Sequence, residues 1–237
     1  MARKQKTIVC VGDPHMPFQS QACMDWILDI ILPALGPVFA TVCMGDLYDF
    51  FSYSRFPKRM SMTPKDETFQ ARDEAEKFFE RIRKRKPWAK HFLLKGNHDD
   101  RLAKYVVNKV PELDHWFDYK SMWEFPKIHT MFDSKEPLVI DEINFIHGHS
   151  KVGEHSRQLD FPKGVVTGHN HIGQINWFRS GKKDKYCFEA CAGYTANPFH
   201  ESLIYRPMTK FFKWTQGVLV IQDGIPLFIP YLGGEHK

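Results

Sequence analysis

At 237 residues, 43% of them hydrophobic and 26% charged, the chain is long enough to bury a core of its own, and its composition excludes a disordered or fibrous protein. No apolar run approaches the roughly 18 residues that span a bilayer, and the start Met1-Ala2-Arg3-Lys4-Gln5-Lys6 leads into a short strand without a signal-peptide core, so a cytoplasmic protein is expected. The net charge of +5 suits a polyanionic substrate without pointing to one, and five cysteines, odd in number, predict no disulfide framework.

The first predicted strand, Thr7 to Val11, is β-branched and stops at Gly12; a second, Phe39 to Met44, stops at Gly45. Between them Met24, Ile27, Ile30, Ile31 and Leu35 recur at helical spacing, from Gln21 until Gly36-Pro37 breaks the pattern. A second helix is predicted from Asp66 to Lys86, with acids early, Lys and Arg late, and Phe69, Ala75, Phe78, Phe79 and Ile82 as its apolar stripe. His91 to Leu94 is a third strand. The remainder reads mostly as β, with strands at Leu138 to Ile140, Ile143 to Ile146, Val165 to Thr167, Gln174 to Phe178 and Lys185 to Cys191, and a hairpin turn at Asp223-Gly224. A single α/β domain over 1–237 is expected, with a candidate lid at 50–65 and a C-terminal β-hairpin at 217–231.

Side chains able to bind metal stand at five of these strand ends: Asp13 and His15; Asp46 and Asp49 in Gly45-Asp46-Leu47-Tyr48-Asp49; Asn97 and His98 in Gly96-Asn97-His98-Asp99; His147 and His149; and His169 and His171. Each alone has an ordinary explanation, since Asp caps turns and helices and a lone His is usually a satisfied structural residue. Together they specify a metal centre, because glycines let the backbone turn tightly while carboxylate oxygens and imidazole nitrogens gather toward one point.

The blocks D-x-H, G-D-x-x-D, G-N-H-D, H-G and G-H-x-H, in this order from Asp13 to His171, resemble the calcineurin-like metallophosphoesterase family. The resemblance implies a two-sheet β-sandwich flanked by helices, with two divalent ions at one edge. One ion would be held by Asp13, His15 and His171, the other by Asn97, His147 and His169, with Asp46 bridging both. His147 is preferred over His149 because it directly follows the strand Ile143 to Ile146. Manganese is the first expectation for this donor set, with iron or zinc as alternatives. His98 would protonate the leaving oxygen and Asp49 would orient its imidazole, while Arg101 and Arg55 are candidate phosphate clamps.

The segment from Phe50 to Arg59 interleaves aromatic and basic residues, which either stack bases and track phosphates or pack over the helix from Asp66. Related phosphoprotein phosphatases carry Arg after the second block and Glu after the third-block His, where this chain has Phe50 and Asp99. The expected activity is therefore a phosphodiesterase acting on a nucleotide or nucleic acid. A phosphomonoesterase on phosphoproteins or small metabolites, and a non-catalytic metal-binding module, are the alternatives.

Overall fold

The computed structural model describes residues 6–55, 62–132, 136–148, 163–180, 185–204 and 213–233. The first strand, β1 (Thr7–Val11), carries no alternation of polar and apolar residues because both its faces are covered. It lies inside a six-stranded sheet of order β11-β10-β1-β2-β3-β4, formed with β2 (Ala40–Cys43), β3 (Lys90–Leu94), β4 (Ile128–Met131), β10 (Gly217–Gln222) and β11 (Ile225–Pro230). Strands β1 to β4 are parallel, β10 is antiparallel to β1, and β10 and β11 form the hairpin expected around Asp223-Gly224. A second sheet, of order β5-β6-β7-β9-β8, comprises β5 (Leu138–Ile140), β6 (Ile143–Ile146), β7 (Gly164–Thr167), β8 (Gly173–Ser180) and β9 (Lys185–Ala192), with β6, β7 and β9 parallel.

The two faces of the first sheet divide its residues by parity. Ile8 and Cys10, with Val42, Leu219 and Ile221, meet Ile143, Phe145, Val166, Phe188 and Ala190 of the second sheet. Val9, Val11, Leu93, Val218 and Val220 turn the other way, onto helices α1 (Gln21–Asp25), α3 (Pro64–Arg85) and α4 (Arg101–Lys109). The chain from Gln21 is helical as expected, although its middle, Trp26–Ile31, has π geometry before α2 (Leu32–Ala34). Helix α3 starts two residues before the sequence pattern suggests, because Thr63 Oγ1 accepts from Asp66 N at 3.1 Å and Pro64 occupies the first turn. Its buried stripe is Ala71, Ala75, Phe78, Phe79 and Ile82, which corrects one expected member: Phe69 is 66% exposed. A last short helix, α5 (Glu201–Ile204), follows β9.

Among the described residues no helix is long and apolar enough to cross a membrane, and all five cysteines are buried. Of segment 50–65, Phe50 and Phe51 are buried against the helical layer and Tyr53 Oη bonds to Thr68 and Pro64 of α3, so these aromatics pack. Residues 56–61 and His149 lie outside the described residues. Buried Glu67 of α3 fixes this turn by accepting from the backbone N–H groups of Phe51 and Ser52. Glu67→Ala strands both donors, each at about 1–3 kcal/mol, and should lower Tm by roughly 5–10 °C in a thermal melt. A wild-type melt for that variant would show that the carboxylate does not hold the turn.

Candidate metal centre

Strands β1, β2 and β3 of one sheet and β6 and β7 of the other present their carboxyl ends at a common edge, and each is followed by one of the five blocks. Five of the expected ligands, Asp13, His15, Asp46, His169 and His171, sit at left-handed φ values between 37° and 64°. Asp and His tolerate that region better than most residues, and here it reverses the chain so that the side chains turn inward across the strand ends. Two glycines make room for them. A Cβ at Gly96 would meet Asp46 Oδ1 at 2.2 Å, and one at Gly45 (φ 98°) would meet His147 Nδ1 at 2.7 Å.

The donor atoms converge in two groups around Asp46. His147 Nδ1 donates to Met44 O at 2.9 Å, which leaves Nε2 facing Asp46 Oδ2 at 3.3 Å and Asn97 Oδ1 at 3.1 Å. His169 Nδ1 lies 2.7 Å from the same Asn97 oxygen. On the other side His15 Nδ1 donates to Asp49 Oδ2 at 3.2 Å, so its Nε2 lone pair faces His171 Nε2 at 3.1 Å and Asp46 Oδ2 at 3.9 Å. His171 Nε2 is in turn 3.4 Å from Asp13 Oδ2. Atoms bound to one ion at about 2.0–2.2 Å stand roughly 3–3.6 Å apart, and most of these separations fall in that range.

The electrostatics ask for positive charge at the same place. Both oxygens of buried Asp13 lack a hydrogen-bond partner, and burial pushes its carboxyl up to about 7, opposed by His147. Burial acts to lower His147, yet the carboxylates of Asp46 and Asp13 push it up to about 10. Burial would raise Asp46, but the imidazoles of His147, His98 and His15 hold it well below the usual carboxylate range. Burial and the neighbouring His15 keep His171 well below its ordinary value, neutral and able to offer a lone pair. Imidazole nitrogens and carboxylate oxygens converging in this way, with a proton on His147 Nε2 that a cation would displace, fit divalent cations, with hard oxygen and borderline nitrogen donors mixed. The structure thus brings together all seven expected ligand positions.

The residues around this ring are connected more densely than the sequence suggested. Asp49 lies within 3.4 Å of His98 Nδ1 through Oδ1, but that oxygen is closer to Arg101 Nη1, at 2.7 Å, and its other oxygen holds His15. Burial would raise Asp49, and the histidines His98 and His15 hold it well below the carboxylate range. Arg101 Nη2 donates to His98 Nε2 at 2.9 Å, which puts a cation on that nitrogen, and the same nitrogen stands 4.0 Å from Asp46 Oδ2, in a group with His15 and Asp46 close enough to hold an ion. Arg55 is exposed and lines, with Arg101 and Asn97, a groove of about 660 Å³ leading away from the centre.

Three supporting residues had no expected role. Asp99 ties two of the blocks together by accepting from Tyr48 N at 2.9 Å and Gly96 N at 2.7 Å. Tyr194 stacks on the His171 ring at 5.1 Å and Trp214 meets its face edge-on at 4.5 Å, fixing the orientation of that imidazole. The motif position of Asp99 was a signal for it, whereas Tyr194 and Trp214 reach the site only through the fold. A family model described as calcineurin-like phosphoesterase matches residues 6–211 of the chain. No curated protein matches it.

Proposed function

The chain belongs to the calcineurin-like phosphoesterase family, whose activity is metal-dependent hydrolysis of phosphoesters, and from that premise we propose that it is a two-metal phosphodiesterase acting on a nucleotide or nucleic acid. The observation that carries the reading is the convergence of His147 Nε2, Asn97 Oδ1 and Asp46 Oδ2 within 3.1–3.3 Å, with the opposite ring nitrogen of His147 already committed to Met44 O. Asp13, His15 and His171 would hold one ion, Asn97, His147 and His169 the other, and Asp46 Oδ2 faces both sets. Bound there, divalent ions supply a nucleophile at neutral pH and neutralise charge on the phosphoryl oxygens; manganese is our first assignment, with iron or zinc able to use the same donors.

The protein's own groups do the remaining work. Asp49 fixes the His15 tautomer and anchors Arg101 through both its side chain at 2.7 Å and its main-chain carbonyl at 3.0 Å. Arg101 then holds His98 Nε2 toward the centre and brings a guanidinium within reach of an incoming phosphate. An arriving phosphate oxygen exchanges for His98 at Arg101 Nη2, which frees the Nε2 lone pair to take up a proton from water; the imidazolium so formed, its Nδ1 facing Asp49, passes that proton to the leaving oxygen. The groove beside Asn97 and Arg101 supports a diester, because a second ester arm needs an exit that a monoester does not.

The test compares hydrolysis of bis-p-nitrophenyl phosphate with p-nitrophenyl phosphate in manganese and in chelator. The diester should show the higher kcat/KM, and chelator should abolish both activities. Preference for the monoester would move the assignment to a phosphomonoesterase. Turnover that persists in chelator would remove the metal mechanism altogether.

A further inference from the structure

We propose that the groove along α4 is a strand-binding subsite, so that the substrate is a single-stranded nucleic acid whose flanking nucleotides lie on this helix; the inference rests on the phosphodiesterase reading above. Helix α4 begins three residues after His98, and Leu102 and Val106 bury one of its faces. The opposite stripe, Arg101, Lys104, Tyr105 and Asn108, has the i, i+3, i+4, i+7 spacing of a single helical face. At 1.5 Å per residue it runs about 10 Å from the metal centre, room for roughly two further nucleotides.

The chemistry of the groove selects this class of ligand. Arg55, Arg101, Lys104 and Lys109 line it, and no carboxylate does so among the described residues. Lys104 pairs with Asp100 at 3.4 Å, but both side chains are substantially exposed, 65% and 33%, so a phosphate can displace that carboxylate. Tyr105 leaves 42% of its surface open, and Tyr53 meets it edge-on at 5.6 Å and 64°, bracing the ring so that a face remains presented. Tyr53 is itself pinned to α3 by its bonds to Thr68 and Pro64. Cations at successive helical turns with an aromatic face between them are what a nucleotide chain uses, one for backbone charge and the other for a base. A phosphopeptide uses the cations alone, and a free nucleotide leaves the far turn at Asn108 and Lys109 empty.

Lys104→Ala, Tyr105→Ala and the double variant decide the matter. Anisotropy of a short labelled single-stranded DNA in chelator reads binding without turnover, and kcat/KM on that DNA relative to bis-p-nitrophenyl phosphate reads its use. Each single variant should raise Kd roughly tenfold and lower the DNA-to-reporter ratio by a similar factor through KM, and Lys104→Ala should reduce the salt slope of binding by about 0.7. Wild-type Kd and ratio in the double variant would overturn the subsite while leaving the diesterase intact. A wild-type protein that cleaves the reporter but neither binds nor cuts DNA, or that dephosphorylates a phosphopeptide with losses in the same variants, overturns the nucleic acid occupant. Inactivity on the reporter in manganese overturns the underlying diesterase reading instead.

Discussion

Asp46→Asn is expected to lower kcat by roughly a thousandfold, about 4 kcal/mol of transition-state stabilisation, and to abolish the binding of at least one of the two ions. The geometry dictates which atom changes. Asp46 Oδ1 accepts the His98 N–H at 2.8 Å, and an amide placed there must keep its oxygen on that donor. Its NH2 group is then forced into the position of Oδ2, which faces His147 Nε2 at 3.3 Å and His15 Nε2 at 3.9 Å. A donor with no lone pair to offer replaces the one carboxylate oxygen that looks toward both ligand sets. Metal content after dialysis, metal titration by calorimetry and thermal melts check this. The metal-free variant should melt below the metal-free wild type, because the buried carboxylate that partners His147 is gone, and should lose much of the Tm gain on adding manganese. Two retained ions with wild-type kcat would take Asp46 out of the centre.

That substitution can be reasoned about because the five blocks were legible as strings of residues. A short strand buried on both faces reads as an unbroken β-branched run, and β1 between Lys6 and Gly12 shows it. Polar residues next to glycine succeed the run, and left-handed backbone at Asp13, His15 and Asp46 gives that local sequence its structural meaning. Helix α4 was not legible in the same way. It offers only Leu102 and Val106 to the core over little more than two turns, too few repeats for a period to stand out, and Val106-Val107 is a β-branched pair that argues against a helix. Strand β4 is similar: it is an edge strand of intermediate burial, with no alternation and no flanking glycine. Phe69 misled because it is apolar and adjacent to the stripe, whereas Ala71, small and unremarked, faces the core in its place.

The sharing of Asp49 illustrates a second limit. The family resemblance pairs Asp49 with one histidine, but its carboxylate serves three groups drawn from two different blocks and from α4. Contacts of that kind depend on how strand ends are spaced across the sheet and leave no trace in the local pattern. The same holds for Tyr194 and Trp214, which reach His171 from beyond β9 and from just before β10.

Asp49→Asn should therefore act on metal binding as well as on turnover, which separates it from a variant that merely disorients a proton donor. The amide oxygen of the variant is drawn to Arg101, whose Nη1 lies 2.7 Å from Oδ1 in the wild type. The amide nitrogen then occupies the place of Oδ2, where His15 Nδ1 is 3.2 Å away and is itself a donor. Two donors cannot face each other, so His15 must move its proton to Nε2, the nitrogen that looks toward His171 and Asp46. An imidazole protonated there is no longer a ligand. Affinity for one ion should fall about 10- to 100-fold and kcat roughly 100- to 10,000-fold, with part of the kcat loss recovered at high manganese. A partial recovery assigns the recovered share to His15 and the residue of the loss to the Arg101–His98 arrangement, which excess metal does not repair. Unchanged turnover and unchanged metal affinity would remove Asp49 from both tasks and leave it as a closing residue of the turn after β2.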